Sequence, residues 1–171
     1  IGLKNTNFVT PSGLDDENHY SSAYDMACLT AYALKNNTFL KVVSTKSAKL
    51  KYGNPPYERS VTNHNKLLKL YDGAIGVKTG YTKRSGRCLV SAAKRGNITL
   101  IAVTLNDKND WQDHINLLNY GFENSTEQTV DFILPKNISV VNSDSQNVDS
   151  NANQVICPLS LNDKITYKFN F

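Results

Sequence analysis

The sequence predicts a mixed α/β (α+β) domain in which helices cover an antiparallel sheet. Two strongly apolar runs, "CLVSAA" and "ITLIAVTL", are separated by the short turn "KRGN", whose glycine suits a tight hairpin. A pattern with helical spacing, "NDWQDHINLLNYGF", follows shortly afterwards. Nearly continuous apolar strands are typical of a sheet with helices on both faces. These observations predict the fold class.

The other elements are predicted in chain order. The first twenty residues are rich in Asn, Asp, Gly and Pro and read as loop and turn. Ser22 and Asp25 have the spacing of a capping box, which predicts a helix over 22–35. A second, short helix is predicted over 38–44. The stretch with Pro55 and Pro56 predicts only a short turn of helix or strand. Three strands are predicted over residues 74–79, 86–93 and 98–105.

The character of the sequence changes after the last predicted helix, which divides the chain into two parts. Trp111, Ile115 and Leu118 recur at helical spacing, and Gly121 is predicted to end that helix. Beyond Phe122 the sequence is polar, rich in Ser and Asn, and broken into short alternating runs. We therefore expect one domain over 1–122 and a small β-rich module over 123–171, which is too short to bury much core alone.

Composition indicates a soluble globular protein. The chain has 171 residues, 40% of them apolar and 20% charged, with a mean hydropathy of −0.41. No apolar run is long enough to span a bilayer, and no signal peptide is visible. The chain begins with Ile1 instead of Met, which indicates a mature form, a truncated expression product or a fragment.

Charge and cysteine usage exclude several classes of protein. The net charge of +4 and the pI near 8.9 fit an anionic surface such as a cell wall or membrane. No Lys/Arg run is interleaved with aromatic residues, so no nucleic acid partner is expected. Cys28, Cys88 and Cys157 are odd in number and widely spaced, which argues against a disulfide framework or a zinc site. Cys28 and Cys88 lie inside apolar stretches, and we expect them to be buried small hydrophobes. We expect no metal and no organic cofactor.

Lys78, Thr79 and Gly80 are the candidate functional residues. A strand at the edge of a sheet offers unpaired N–H and C=O groups to an extended peptide. A lysine there can meet a carboxylate or polarise a hydroxyl, and a threonine hydroxyl can bind the same anion. A glycine lets the ligand approach the backbone closely. Taken alone, the tripeptide favours an ordinary strand end with a solvated lysine.

The surrounding segments change that interpretation. They are, in order, "IGLKNTNFVTPSGLDDENHYSSAYDMACL", "TNHNKLL", "DGAIGVKTGYT", "SGRCLVSAAKRG", "ITLIAVTLN" and "DHINLLNYGF". Together they resemble the serine-type D-alanyl-D-alanine carboxypeptidases, the low-molecular-mass penicillin-binding proteins of peptidase family S11. The resemblance implies part of a penicillin-binding-protein/β-lactamase-like transpeptidase fold. Residues 1–122 would be the C-terminal part of the catalytic domain and 123–171 the start of the β-rich C-terminal domain.

The resemblance also implies a set of roles. The family uses three motifs, S-x-x-K, S-x-N and K-T-G, of which the third is in its expected place. Lys78 would be catalytic, holding the substrate carboxylate and tuning the proton network. Thr79 would hydrogen-bond that carboxylate, Gly80 would admit the substrate, and the backbone N–H of Tyr81 would form half of the oxyanion hole. His64 occupies a position near the site where relatives often have Arg, and it would either help to bind a carboxylate or be a structural histidine.

The other two motifs occur only as chance copies. Ser91 to Lys94 spells S-x-x-K, but in a strand these two side chains point to opposite faces. The S-x-N copies, 145–147 and 160–162, lie in the polar tail. The chain is therefore expected to begin after the family's S-x-N segment, to lack the nucleophilic serine, and to be inactive alone.

The sequence also predicts where two further histidines lie. His19 is expected to fix the loop before the first helix. His114, with Asp113, lies where some relatives carry a basic residue, and this departure argues against carboxylate binding there. We expect His114 on the surface of its helix.

The implied function is removal of the terminal D-Ala from peptidoglycan stem pentapeptides through an acyl-enzyme, with binding of penicillin. A serine β-lactamase of the same superfamily, or a non-catalytic cell-wall interaction module, stay open as alternatives. The expected partners are the stem peptide, β-lactams and the missing N-terminal part of the catalytic domain, in the extracytoplasmic cell envelope. A fragment that lacks sheet partners exposes apolar surface, so self-association through a sheet edge is also expected.

Overall fold

The computed structural model describes residues 1–131 and 154–160. The chain divides into two units, residues 1–123 and residues 124–171. In the second unit, strands Ser125–Asp131 and Gln154–Ser160 pair antiparallel. The copy of S-x-N at 145–147 lies outside the described residues, as does Asn162 of the second copy.

The first unit contains four helices and five strands. The helices are α1 (Ala23–Ala33), α2 (Asn37–Ser44), α3 (Leu67–Leu70) and α4 (Asp110–Glu123). The strands are β1 (Ser47–Tyr52), β2 (Tyr57–Thr62), β3 (Ala74–Thr82), β4 (Gly86–Arg95) and β5 (Ile98–Thr104). The two long helices, the short second helix and the three strands predicted from residue 74 onward are therefore present, with ends that differ by a few residues.

Strand β3 lies at the edge of a three-stranded antiparallel sheet. The order is β3-β4-β5, so the long strand β4 is central. Thr79 lies opposite Leu89, and Tyr81 lies opposite Arg87. Because the side of β3 that faces away from β4 is not paired within the sheet, alternate backbone groups of β3 are available to a ligand.

Helices pack on both faces of this sheet, as the apolar strands predict. One buried cluster joins the sheet to α3 and α4 and consists of Leu67, Tyr71, Leu89, Ala93, Ala102 and Leu118. A second cluster consists of Val77, Val90 and Ala92. Met26 of α1, Leu34 just after α1, and Phe39 and Val43 of α2 pack against it. Burial on both faces fixes the register of β4, since a one-residue slip would reverse every side chain.

The start of α1 uses only half of the predicted capping box. The Oγ of Ser22 accepts a hydrogen bond from the N–H of Asp25 at 3.1 Å. The carboxylate of Asp25 does not return the bond to Ser22. It is buried and accepts hydrogen bonds from the N–H of Asn5 and the Oγ1 of Thr6, each at 2.7 Å. Asp25 thereby ties the N-terminal segment to α1.

The hairpin of β1 and β2 is a structure that the sequence analysis did not predict. Its residues are exposed with the exception of Ala48, which is half-buried. With neither face buried, the hairpin has no need of the alternating apolar pattern that reveals a strand. Tyr52 and Tyr57 pair beside the turn, with ring centroids 4.6 Å apart.

Gly121 does not end α4, so that prediction was wrong. The helix continues to Glu123. A β-carbon at position 121 would lie 2.6 Å from Cδ1 of Leu100, which shows that this glycine allows α4 to pack closely on β5.

The prediction that the cysteines are buried also needs correction, because Cys28 and Cys88 are free thiols that are half-buried instead of buried. The side chain of Cys157 lies outside the described part of the chain.

His114 is buried in the interface between α4 and the sheet, so the prediction of a surface position was wrong. It lies one helical turn from Asp110 and from Leu118, which are also buried. Its Nε2 is 3.1 Å from the Oγ1 of Thr104, and its Nδ1 has no hydrogen-bond partner. Burial lowers the pKa of His114 from 6.5 to about 4, and Asp110 and Asp107 oppose this shift. The imidazole is therefore neutral at pH 7.

This burial makes the stability of the fold dependent on pH. The unfolded chain protonates His114 near pH 6.5 and the folded chain near pH 4. The contribution of the neutral, buried His114 to the stability of the folded chain is therefore complete above pH 6.5, and it is lost as the pH falls toward 4. We expect His114 alone to lower the free energy of unfolding by about 3 kcal/mol across this range, at about 1.4 kcal/mol per pKa unit.

Urea denaturation at several pH values between 7 and 4.5 measures this effect. The control is His114→Gln, which retains a hydrogen-bonding side chain without the titration. The stability of the wild type should fall more steeply with pH than that of the variant. Equal slopes for the two proteins would show that His114 titrates normally.

Candidate active site

A cleft of about 1120 Å³ runs along the K-T-G end of β3. Its walls come from β3, the start of β4, the N-terminal segment and the first residues of α4. Among the residues that line it are Lys78, Thr79, Gly80, Tyr81, His64, His19, Arg87, Asp110 and Trp111. The predicted site residues of the sequence analysis are therefore brought together at one surface of the first unit. Their roles remain predictions.

Lys78 and Thr79 lie where an extended ligand can reach them. The side chain of Lys78 is exposed and that of Thr79 is half-buried. The Lys78 ammonium donates a hydrogen bond to the carbonyl oxygen of Thr79. A backbone carbonyl is a neutral partner, so the positive charge of Lys78 stays available to an anion.

Gly80 is not required by the packing of the fold. A β-carbon built on Gly80 would lie 3.9 Å from its nearest neighbours, both of them atoms of Cys88, which is an ordinary contact. The glycine is also exposed. What it provides is free space beside the backbone, which suits the close approach of a ligand to β3.

Tyr81 presents its side chain to solvent. The ring is 71% exposed, and the residue lies opposite Arg87 on β4. The role that the resemblance implies for Tyr81 uses only its backbone N–H, and it stays a prediction. The position on an edge strand is compatible with that role.

His64 is held at the cleft by two neighbouring asparagines. The Nδ2 of Asn63 donates to the carbonyl oxygens of Val43 at 3.2 Å and Thr45 at 3.1 Å. Asn65 is buried, and its Oδ1 accepts from the N–H of Leu67 at 3.0 Å. These contacts explain the polar centre of the "TNHNKLL" segment, and they leave the imidazole of His64 exposed at the cleft wall.

The N-terminal segment is fastened to the far end of β3. The Oδ1 of Asp15 accepts from the Oγ1 of Thr82 at 2.8 Å and from the Oγ of Ser85 at 3.3 Å. His19 fixes the same segment, since its Nδ1 accepts from the N–H of Val9 at 3.0 Å and its ring stacks on Phe8. The segment thus forms a defined wall of the cleft.

Arg87 is a cleft residue that the sequence analysis missed. Its Nε and Nη2 donate to Oδ2 and Oδ1 of Asp110 at 3.1 and 2.5 Å. Its guanidinium carbon lies 5.7 Å from the ring centroid of Trp111. The hydrogen bond to Asp110 raises the pKa of Arg87 above its ordinary value. The one signal in the sequence that could have drawn attention to Arg87 is its position directly before the apolar run "CLVSAA".

The S-x-x-K copy does not form a catalytic pair. Ser91 is fully buried in the middle of β4, and its Oγ has no hydrogen-bond partner. Lys94 is exposed on the same strand. Over residues 1–131, where side chains are described almost throughout, no three His, Cys, Asp or Glu residues gather closely enough to hold a metal ion.

The chain belongs to the D-alanyl-D-alanine carboxypeptidase family of peptidase family S11, whose family model matches residues 1–109. It is 46% identical over 103 residues to the D-alanyl-D-alanine carboxypeptidase DacF of Bacillus subtilis strain 168, covering 60% of this chain and 26% of DacF. It is 38% identical over 129 residues to a D-alanyl-D-alanine carboxypeptidase of Streptomyces sp. strain K15, covering 71% of this chain and 44% of that protein.

Solved structures agree with this assignment. The DD-transpeptidase of Streptomyces K15 matches with a TM-score of 0.66 and 37% identity, over 71% of this chain and 49% of that chain. A D-alanyl-D-alanine carboxypeptidase of Mycobacterium tuberculosis H37Rv matches with a TM-score of 0.64 and 32% identity, over 71% and 48%. The expected family and fold are confirmed, and the chain spans at most about half the length of each of these matched proteins.

The environment of Gly80 generates a testable prediction. We expect Gly80→Ala to raise the free energy of unfolding by about 0.5–1 kcal/mol, because glycine in a strand is less stable than alanine when space is available. The matched control is Gly73→Ala, where φ is +84° and a β-carbon would lie 2.5 Å from the carbonyl oxygen of Lys94. The free energy of unfolding of Gly73→Ala should be lower than that of the wild type by about 1–3 kcal/mol. Urea denaturation distinguishes the two, and a destabilising Gly80→Ala would show that the fold itself requires this glycine.

Proposed function

We propose that this chain supplies the K-T-G part of the active site of a serine-type D-Ala-D-Ala carboxypeptidase. Its substrates would be peptidoglycan stem pentapeptides, from which it would remove the terminal D-Ala. The observation that supports this most is the position of Lys78, Thr79 and Gly80 on an edge strand beside an open cleft, in a chain of this family. An edge strand can pair with an extended peptide and place its terminal carboxylate at the strand end.

The proposed chemistry proceeds in two steps. A serine hydroxyl attacks the carbonyl carbon of the penultimate D-Ala, the bond to the terminal D-Ala breaks, and the leaving amine receives a proton. Water then hydrolyses the resulting ester and releases the shortened peptide. Lys78 would hold the substrate carboxylate and assist proton movement, Thr79 would hydrogen-bond that carboxylate, and the N–H of Tyr81 would stabilise the oxyanion. β-Lactams would acylate the same serine.

We place the nucleophilic serine outside these 171 residues. The S-x-x-K copy in this sequence starts at Ser91, which is buried within the sheet. A buried serine on a strand, with its lysine on the opposite face, cannot act as an activated nucleophile toward a peptide in the cleft. The upstream part of the catalytic domain is therefore a proposed partner of this chain.

The domain assignment and location follow from the same proposal. Residues 1–122 would be the C-terminal part of the catalytic domain, and residues 123–171 the start of a β-rich C-terminal domain. A carboxypeptidase that acts on peptidoglycan works in the extracytoplasmic cell envelope. Within the described ranges, the structure contains no helix with the length and apolar character of a membrane span.

The first test concerns the 171-residue chain alone. We expect it to form no covalent adduct with benzylpenicillin, because it lacks the activated serine, while the intact protein that contains this chain becomes acylated. Intact-mass spectrometry after incubation measures both. An adduct on the isolated chain would contradict the placement of the nucleophile. Rapid loss of the adduct from the intact protein would favour a β-lactamase instead.

The second test concerns Lys78 in the intact protein. We expect Lys78→Ala to slow acylation by benzylpenicillin by about 100-fold or more, the loss typical of removing one electrostatic stabiliser of the transition state. Tyr81→Phe is the control, because the proposed role of Tyr81 needs only its backbone N–H, and its rate should change by less than about threefold. If Lys78→Ala acylated at the wild-type rate, the K-T-G strand would not be part of the reaction site.

A further inference from the structure

The hairpin of β1 and β2 exposes an apolar face. Residues opposite one another in an antiparallel pair share a face, so the register places Leu50, Tyr52, Tyr57 and Val61 on one side of the hairpin. All four side chains are exposed, from 37% for Val61 to 55% for Tyr57. Contiguous exposed apolar side chains mark interaction sites, whereas isolated ones need no explanation. This face is therefore a candidate docking surface.

The tip of the hairpin carries no charge. Its residues from Tyr52 to Tyr57 read "YGNPPY", and the two tyrosine rings flank the turn with their centroids 4.6 Å apart. Tyrosine combines an apolar ring with a polar hydroxyl, so it is enriched at the boundary between water and lipid. The tip thus has the chemistry of a segment that enters the headgroup layer of a membrane.

Basic side chains lie directly behind this tip. The hairpin and its foot, residues 46–62, contain one acidic residue and four basic ones, Lys46, Lys49, Lys51 and Arg59. These residues carry a net charge of +3, out of +4 for the whole chain. Glu58 pairs with Lys49 at 3.2 Å, so the other three cations have no acidic partner within the hairpin. Near an anionic lipid surface, each such cation strengthens binding by about fivefold.

Arg59 joins the charged part of the hairpin to the apolar part. It lies opposite Leu50, on the apolar face, and its Nη1 donates to the hydroxyl of Tyr52 at 3.4 Å. When the ring of Tyr52 reaches the headgroup layer, the guanidinium beside its hydroxyl lies at the depth of the lipid phosphates. Guanidinium and phosphate form strong, charge-assisted hydrogen bonds.

An anionic lipid surface fits these features better than a hydrated polysaccharide does. The two tyrosine rings are tilted by 54°, so they form no flat platform on which a sugar ring could stack. Leu50 and Val61 extend the apolar face beyond the rings, which favours a partner that is apolar beneath a charged surface. The unpaired backbone groups at the edges of a two-stranded hairpin must stay near water, so the hairpin would not cross the hydrocarbon layer.

The foot of the hairpin adjoins the cleft of the candidate active site. The N–H of Asn63 donates to the carbonyl oxygen of Lys46 at 2.9 Å, and the next residue, His64, lines the cleft. A hairpin bound to a surface would therefore hold the cleft close to that surface.

We propose that the β1–β2 hairpin is a membrane-docking element. Its tyrosine tip enters the headgroup layer of an anionic bilayer, while Lys51 and Arg59 bind lipid phosphates. This inference goes beyond the proposed function and does not depend on it, because a chain without peptidase activity would bind lipid in the same way.

The experiment uses the intact protein that contains this chain and vesicles of phosphatidylcholine with or without phosphatidylglycerol. Co-sedimentation measures binding for the wild type, for the double variant Lys51→Gln/Arg59→Gln, and for Lys83→Gln/Arg84→Gln. The last is the matched control, because it removes the same charge from the exposed turn between β3 and β4, and neither residue lines the cleft. Thermal denaturation is recorded for every variant.

We expect the wild type to bind the vesicles that contain phosphatidylglycerol, and Lys51→Gln/Arg59→Gln to bind them about 10- to 30-fold more weakly. The control pair should weaken binding by less than about threefold, because its charges lie on another turn and the attraction falls off within a Debye length. Equal losses for the two pairs, or wild-type binding that does not depend on phosphatidylglycerol, would overturn the inference.

Tyr57→Trp reports on the tip itself, whatever else holds the intact protein on the vesicle. We expect brominated lipids to quench the fluorescence that this variant adds, but not the fluorescence added by Tyr24→Trp, at an exposed position on α1. An unquenched tip overturns the inference. A tip already shielded from iodide without vesicles would assign the apolar face to another part of the intact protein, and binding to purified peptidoglycan but not to vesicles would assign it to a polysaccharide. Either result also overturns the inference.

Discussion

The pairing of β3 with β4 is the constraint on which the rest of the site depends. β4 is buried on both faces, between two layers of helices, so its register cannot shift without exposing the core. Antiparallel pairing transmits that register to β3 and sets Thr79 opposite Leu89. The inner side of β3 is thereby fixed by the core, and its outer edge is left for a ligand. The same pairing brings Arg87 beside the K-T-G strand.

The polar contacts around the cleft are arranged to leave particular groups free. Asp25, Asp15 and His19 are used to fasten the N-terminal segment. Asp110 is used to hold Arg87. Around Gly80 the fold leaves open space. The wall of the cleft is thus built from satisfied groups, whereas Lys78 retains its capacity to bind an anion.

How much the sequence predicts depends on burial. The apolar strands and α4 are recognisable because they bury defined faces, and the K-T-G motif is recognisable because its neighbours match a family. The exposed β1–β2 hairpin buries neither face and was missed. His114 was misplaced because an imidazole in a buried stripe reads as polar, although its environment keeps it neutral. The Arg87–Asp110 pair joins positions 23 residues apart, and no local pattern specifies such a contact.

The most direct test of the central claim is a crystal structure of the intact protein acylated by a penicillin. The account predicts that the acyl carbonyl oxygen accepts a hydrogen bond from the N–H of Tyr81. It also predicts that the ligand carboxylate lies within hydrogen-bond distance of Thr79, roughly 2.6–3.2 Å. A ligand bound to a serine remote from β3, with the K-T-G strand still exposed to solvent, would contradict the claim that this strand forms part of the active site.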